Sequence, residues 1–173
     1  MKMVLMLISL LVAIVTIFNV NLEDRMIMLG EVRSYGTVIL AAHDAAVVDK
    51  SLKAEGYIVF DEIAGTANFR RSLKDNLVLD DQLYPINNAI FSGQIKTVGL
   101  FFVGDNKVPH DGLGRPIYPY EFVQSVMYRN EVITLRETLL GPSVVALIEA
   151  PLNVEGDIVK LKKAVYRYLD KRL

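Results

Sequence analysis

The amino-terminal part of the chain is a continuous run of apolar residues. No charged residue occurs from position 3 to position 22. A helix of that length rises about 30 Å, which matches the hydrocarbon core of a bilayer. The pattern predicts a helix that spans a membrane or lies in the core of a filament. Its apolar positions are Met3, Val4, Leu5, Met6, Leu7, Ile8, Leu10, Leu11, Val12, Ile14, Val15, Ile17 and Phe18.

The helical pattern continues without a proline to Lys53, which predicts a rod of about 75 Å. Beyond the apolar run it is amphipathic, because apolar residues recur at steps of three and four. Alanines spaced four residues apart allow another backbone to approach closely. The sequence leaves open whether they lie under the protein's own sheet or against a neighbouring copy, and we expect Gly30 to contact a neighbouring copy. The amphipathic repeat contains Met26, Leu29, Val32, Gly36, Ile39 and Leu40, and the predicted helix-helix packing positions are Met26, Leu29, Gly30, Gly36, Ala41, Ala42, Ala45 and Ala46.

Charges at the two ends of the apolar run predict its orientation. Lys2 and the terminal amine precede it, whereas two acidic residues and one arginine follow it. The positive-inside bias favours an internal amino terminus and an extracytoplasmic remainder. A cleaved secretory signal is the alternative, but residues 17–20 do not form a small-x-small cleavage site, so we expect the helix to be retained. Charges that could pair between subunits are Lys2, Glu23, Asp24, Arg25, Glu31 and Arg33.

The remaining residues, 54–173, are predicted to form a globular head of mixed structure. Gly56 is expected to end the long helix in a left-handed conformation. Strands are predicted over 57–63, 95–103 and 120–128, and a short helix capped by Thr66 is predicted between the first two. The apolar side of that helix carries Phe69, Leu73 and Leu77.

The end of the chain is predicted to contain a hairpin and a helix. Residues 132–139 and 144–150 flank Gly141 and Pro142, which favours a hairpin. Residues 157–173 are predicted to form a helix with Ile158, Leu161, Val165, Tyr168 and Leu169 on one side. The fold class is therefore α+β, with a long amino-terminal helix (1–53) and a head (54–173) that holds an antiparallel sheet and a carboxy-terminal helix.

The predicted terminal helix is basic. It could lie on an anionic membrane, but an extracytoplasmic head would not reach the cytoplasmic leaflet, so a solvated or inter-subunit charged face is favoured. The candidate opposite charges, on the same or a neighbouring copy, are Glu31, Asp44, Asp80 and Asp81.

Composition narrows the function classes. The chain has 173 residues, 52% of them hydrophobic, and no cysteine, so disulfides and thiolate metal sites are excluded. Nineteen basic residues against 20 acidic ones provide no electrostatic attraction for nucleic acid. About 120 residues remain after the long helix, enough to bury a core.

Candidate chemistry is sparse. The two histidines, His43 and His110, are far apart in the sequence and are expected to be structural or solvated. The segment 104–116 offers Asp105, Asn106 and Asp111 as oxygen ligands but lacks the spacing of a calcium loop, and its glycines lack the lysine of a phosphate loop. We predict no catalytic residue, no metal site and no cofactor, and we expect the protein not to be an enzyme.

A long helix with an apolar outer half, followed by a small sheet-bearing head, resembles the type IV pilins. The segment AAHDAAVVD resembles the alanine-rich stretch of the pseudopilins of tight-adherence (Tad) systems, and FRRSLKDNL and PSVVALIEAPL are similar to parts of their heads. The resemblance covers most of the chain. It does not include a glycine-terminated leader, nor the family's glutamate at the fifth mature position, where Leu5 stands.

This resemblance implies a structural subunit of an extracellular helical filament. Such a subunit would lie in the membrane before assembly, pair with copies of itself through its apolar helix and depend on an envelope assembly machinery. The alternative is a single-pass anchored accessory or binding module of an envelope or secretion apparatus, with partners on its head. The head would be extracytoplasmic in both cases.

Overall fold

The computed structural model of the chain describes residues 2–154 and 158–169. Its three helices are α1 (Lys2–Ala45), α2 (Lys50–Ala54) and α3 (Glu62–Leu77). Its five strands are β1 (Lys96–Val103), β2 (Tyr120–Tyr128), β3 (Glu131–Leu139), β4 (Ser143–Pro151) and β5 (Val159–Arg167), and Asp105–Lys107 form one 3₁₀ turn. The predicted α+β class with a long amino-terminal helix and an antiparallel sheet is confirmed.

The strands form two antiparallel sheets. One has the order β1-β4-β5, and the other is the two-stranded ribbon β2-β3. Side chains of α1, α3 and one face of the larger sheet form one core cluster, and those of the ribbon and the opposite face form a second. The molecule beyond residue 30 therefore has three layers, with helices on one side of the central sheet and the ribbon on the other.

Strand β4 is the centre of this arrangement. It is buried from Ser143 to Ala150, as expected for a strand with neighbours on both sides and on both faces. Its side chains alternate between layers, because successive residues of a strand point to opposite faces. Val144, Ala146 and Ile148 belong to the helix side, whereas Val145 and Leu147 belong to the ribbon side.

Helix α1 ends at Ala45, eight residues before the predicted end. The chain then becomes extended: the Asp49 amide donates to the Val59 carbonyl, and the Asp61 amide donates to the Val47 carbonyl. The β-branched Val47 and Val48 favour this extended pairing over helix. The side chain of Asp49 accepts from the Ser51 amide and so caps α2.

The predicted strand over 57–63 is wrong. Phe60 makes only an isolated bridge with Val48, and helix begins at Glu62. The helix starts there because the Asp61 carboxylate accepts from the Ala64 amide, a cap that precedes the predicted one at Thr66. The predicted apolar face of this helix is confirmed, since Phe69, Leu73 and Leu77 are buried. Gly56 has the predicted positive φ, but it follows α2.

The predicted hairpin around Gly141 and Pro142 is also wrong. Strands β3 and β4 lie in different sheets, and β3 instead pairs with β2 across the two-residue turn Arg129–Asn130. Both turn residues have positive φ, 47° and 65°, as a two-residue hairpin turn that matches strand twist requires. Gly141 and Pro142 therefore connect the ribbon to the central sheet.

The predicted carboxy-terminal helix is replaced by β5 over Val159–Arg167. Position 157 and positions 170–173 of the predicted helix lie outside the described residues. Along β5, Lys160, Lys162, Ala164 and Tyr166 alternate with Leu161, Lys163, Val165 and Arg167. The segment forms a strand because β4 is buried and β5 provides its second neighbour, with all nine β4 residues in register.

The segment between β1 and β2 is held by a buried carboxylate. Asp105 accepts hydrogen bonds from the Ile58 amide (2.7 Å) and the Tyr118 hydroxyl (3.1 Å). Burial raises the pKa of Tyr118 well above its usual range, and the Asp105 charge raises it further. These contacts join the loop to the strand-like segment that precedes α3.

Replacing Asp105 with alanine is expected to lower the free energy of unfolding by about 2 kcal/mol, because two partly buried donors lose their acceptor. Tyr118→Phe removes one of the two bonds and should cost about 1 kcal/mol. Urea unfolding followed by circular dichroism measures both changes. Asp75→Ala, at an exposed position of α3, is the control and should have little effect. Equal midpoints for Asp105→Ala and Asp75→Ala would contradict this assignment.

Candidate membrane and assembly surface

The lower half of α1, residues 3–22, projects beyond the head. Every side chain in it is exposed, including all 13 predicted span positions. Three of its four polar side chains bond to the helix itself: Ser9 to the Met6 carbonyl, Thr16 to that of Val12 and Asn21 to that of Ile17. Such internal bonding suits an apolar environment, where polar groups need a partner within the helix. The helix is long and apolar enough to cross a membrane.

The upper half of α1, residues 23–45, has an inner face packed on the head. A Cβ at Gly30 would lie 2.5 Å from Leu152 Cδ2 and 3.2 Å from Ile90 Cγ2. The Ser34 hydroxyl, also buried, donates to the Gly30 carbonyl at 2.6 Å. Val38 and Ala41 have no exposed surface. The head therefore covers one side of this half of the helix.

The opposite side of the upper half is apolar and open. We call the residues Leu29, Val32, Gly36, Ile39 and Leu40 the outer face, because steps of three and four place them together on a helix. Val32 is 67% exposed, and Leu29 and Leu40 are about half exposed. A Cβ at Gly36 would meet nothing within 4 Å. The outer face is a second apolar surface of α1, which the exposed Asp24 and Arg25 separate from the lower half.

The predicted packing positions divide between these two faces. Leu29 and Gly36 lie on the outer face, where a neighbouring helix could reach them. Gly30 and the four alanines lie against the protein's own head, which resolves the alternative left open for the alanines. The expected contact of Gly30 with a neighbouring copy is wrong, because Leu152 and Ile90 occupy that side. Of these inward positions, Ala46 is half-buried, and the others are buried: Gly30, Ala41, Ala42 and Ala45. Met26 is half-buried.

The repeat in the sequence contains Val32, Ile39 and Leu40, but the predicted packing set omitted them in favour of small residues. They are the largest exposed side chains of the outer face apart from Leu29. Periodicity alone could have found them; it could not tell which side the head covers.

Two of the predicted inter-subunit charges have partners within the chain. Glu31 pairs with Lys160 (2.8 Å) and lies 3.8 Å from Lys162, both on β5. The hydrogen bond from Lys160 is the main cause of the lowered pKa of Glu31. Arg33 donates to the Asn76 carbonyl at 3.3 Å. These contacts attach α1 to β5 and to the end of α3.

The other predicted charges lie at the two ends of the span. Asp24 and Arg25 are exposed, and Glu23 is partly exposed. The side chain of Lys2 lies outside the described part of the structure. In the described part, no ion pair joins Glu23, Asp24 or Arg25 to another residue.

The candidate metal ligands serve local structure. Asp111 accepts from the Leu113 and Arg115 amides and from the Arg115 side chain, and Asp105 holds Ile58 and Tyr118. His43 is exposed, with Nδ1 3.0 Å from Asp44 Oδ1 and its ring edge-on to Tyr166. Within residues 2–154 and 158–169, no three His, Cys, Asp or Glu side chains come together in a group that could hold a metal ion.

Comparisons with protein-family models, with curated proteins and with solved structures find no match to this chain.

Proposed function

We propose that this protein is a structural subunit of an extracellular helical filament, assembled through α1. The observation that carries the proposal is that α1 exposes apolar side chains well beyond residues 3–22: the outer face at residues 29–40, on the side away from the head, follows the exposed charges of Asp24 and Arg25. An anchor needs only the part that lies in lipid.

The outer face is too far from the lower half to be covered by the same membrane. Its residues begin about 10 Å and end about 27 Å beyond Leu22, at 1.5 Å per residue. In a membrane-anchored monomer with residues 3–22 in lipid, the outer face would meet headgroups and water. A neighbouring α1 would cover it, and Gly36 would permit close approach.

Transfer of the lower half from lipid to a helix bundle costs little, since both surroundings are apolar. The subunit would reside in the membrane before assembly, and an envelope machinery would move it into the filament with the head outward. The charges around the span favour an extracytoplasmic head. The resemblance to pilins and to the pseudopilins of tight-adherence systems supports the same proposal and suggests a role in adhesion.

The second candidate is a single-pass anchored accessory or binding module of an envelope or secretion apparatus. The exposed lower half of α1 favours it equally, because one apolar helix of sufficient length is all that an anchor requires. The two candidates differ only in what covers the outer face.

Val32→Arg tests this difference. If neighbouring helices cover the outer face, a buried guanidinium without a partner should abolish fibres or reduce them at least about tenfold, because its desolvation costs several kcal/mol. The monomer should remain folded and in the membrane, since the side chain of Val32 is 67% exposed there. Electron microscopy of sheared surface material, with mass spectrometry of the fibres, measures the result.

Ile63→Arg is the matched control, because it makes the same kind of change at an 87% exposed position of α3. It should leave fibres in place. Normal fibres with Val32→Arg would contradict the proposed packing. If the unmodified protein forms no fibres under any condition but fractionates with membranes, the result favours the anchored module over the filament subunit.

A further inference from the structure

A polar cleft of about 550 Å³ lies in the head where the tip of the ribbon meets the central sheet. This volume is in the range of small-molecule sites. The cleft is lined by Tyr84, Ser92, Gln94, Lys96, Arg129 and Glu149, among others. No residue of α1 lines this cleft, so it has no part in the membrane and assembly roles proposed for that helix.

The buried group of the cleft is Glu149, which interrupts the apolar run of β4. Its side chain is only 7% exposed, and its Oε1 atom lies 3.2 Å from Arg129 Nη2 and 3.8 Å from Lys96 Nζ. Both cationic side chains are more than half exposed at the same time. Because they approach one carboxylate oxygen, they are close enough together for a second carboxylate to bridge them.

The position of Arg129 is unfavourable for its backbone. It has φ 47° in the turn of the β2-β3 ribbon, where asparagine or glycine is preferred over a residue with a long side chain. The guanidinium donates from Nη2 to the Glu149 carboxylate. Its other N–H groups are arranged in a planar fork that suits a ligand carboxylate.

Other residues that line the cleft carry hydrogen-bond acceptors. The Gln94 amide nitrogen donates to the Gln82 carbonyl, which leaves the amide oxygen to accept from a ligand. The Ser92 hydroxyl donates to the Leu152 carbonyl and can also accept. Tyr84 is half exposed and adds an aromatic surface. These groups suit a ligand with hydroxyl donors and an apolar ring face.

We propose that this cleft binds a hydroxylated carboxylate, of the class of a uronic acid, with its carboxylate between Lys96 and Arg129. The two cations and Glu149 leave a net charge of +1, which matches a monoanion. Inorganic phosphate can bridge the same two cations but has no ring to pack on Tyr84, so we expect it to bind more weakly. The ligand could be a free acid or a uronate residue within a glycan chain.

Isothermal titration calorimetry of the full chain in lipid nanodiscs at pH 7 tests the proposal. The probes are D-glucuronate, methyl β-D-glucuronide, D-glucose and inorganic phosphate. At least one uronate should bind, and glucose and phosphate should bind about tenfold more weakly or not at all. Binding of the methyl glycoside alone would identify a chain residue as the natural form, and preference for glucuronate would identify the free acid.

Arg129→Asn removes the guanidinium but keeps a residue that favours positive φ, so the ribbon turn should be retained. This variant and Lys96→Gln should each weaken uronate binding about tenfold. Arg136→Gln, at an exposed position on the same ribbon, is the control and should bind as the unmodified protein does. Circular dichroism of each variant verifies folding.

Three results would overturn the proposal: no uronate binding to the unmodified protein, phosphate or glucose binding as tight as uronate binding, or unchanged uronate binding by folded Arg129→Asn. The result does not depend on filament formation, so failure here and failure of the fibre experiment are separate findings.

Discussion

Replacing Gly65 with leucine is expected to lower the free energy of unfolding by about 3 kcal/mol, the upper end of the usual cost of overpacking. Gly65 lies where α3 crosses the end of α1. A Cβ there would be 2.5 Å from the Ala45 carbonyl oxygen and 2.6 Å from Phe102 Cε1. The first neighbour is backbone and cannot rotate away. The substitution must therefore separate α3 from α1 and from β1, and the core between them would open.

The chain provides a matched control in Gly36→Leu. Gly36 is also a helical glycine, but its Cβ position is open. Leucine there should leave the monomer unchanged or stabilise it by up to about 1 kcal/mol, because leucine has the higher helix propensity. Urea unfolding in detergent, followed by tyrosine fluorescence, compares the two variants; the chain has no tryptophan. Similar midpoints for both would show that the close approach at Gly65 does not matter to stability.

Val12→Asp is expected to block stable insertion of α1 into the membrane. Val12 is near the middle of the apolar run, and aspartate at the centre of a spanning helix costs about 3 kcal/mol. The same carboxylate would destabilise a helix bundle that excludes water. The variant should therefore neither fractionate as an integral membrane protein nor form fibres. Carbonate extraction of membranes, followed by immunoblotting, measures the first effect.

Asn21→Asp is the control for depth. It introduces the same carboxylate next to the charged residues that follow the run, where the cost falls towards zero. It should fractionate as the unmodified protein does. If Val12→Asp resists carbonate extraction as well as Asn21→Asp does, residues 3–22 are not a membrane span.

Features that depend on neighbours along the chain were predictable. The apolar run, the buried face of α3 and the bounds of β2 follow from periodicity, because residues three or four apart meet on a helix and alternate residues share a strand face. The overall α+β class followed from these elements. In the same way the outer face of α1 is present in the repeat of apolar residues that begins at Met26.

Features that depend on residues distant in the sequence were not predictable. The segment VKLKKAVYRY fits both a helix with one apolar side and a strand with alternating faces, and the need of buried β4 for a second neighbour favours the strand. Gly141 and Pro142 have the composition of a hairpin turn, but β3 already pairs with β2. The cleft at Glu149 also requires contacts between residues far apart in the sequence. Its only sign in the sequence is one acidic residue within the apolar strand β4.

The sequence by itself determined that this protein has a helix long and apolar enough to cross a membrane, a second amphipathic half and an α+β head, because these properties arise from composition and local period. Only the tertiary structure decided which side of α1 the head covers. An amphipathic pattern specifies that a surface is apolar, whereas its partner is set by the packing of the whole chain. Thus Gly30 and the alanines contact the protein's own core, and Val32 and Gly36 remain open.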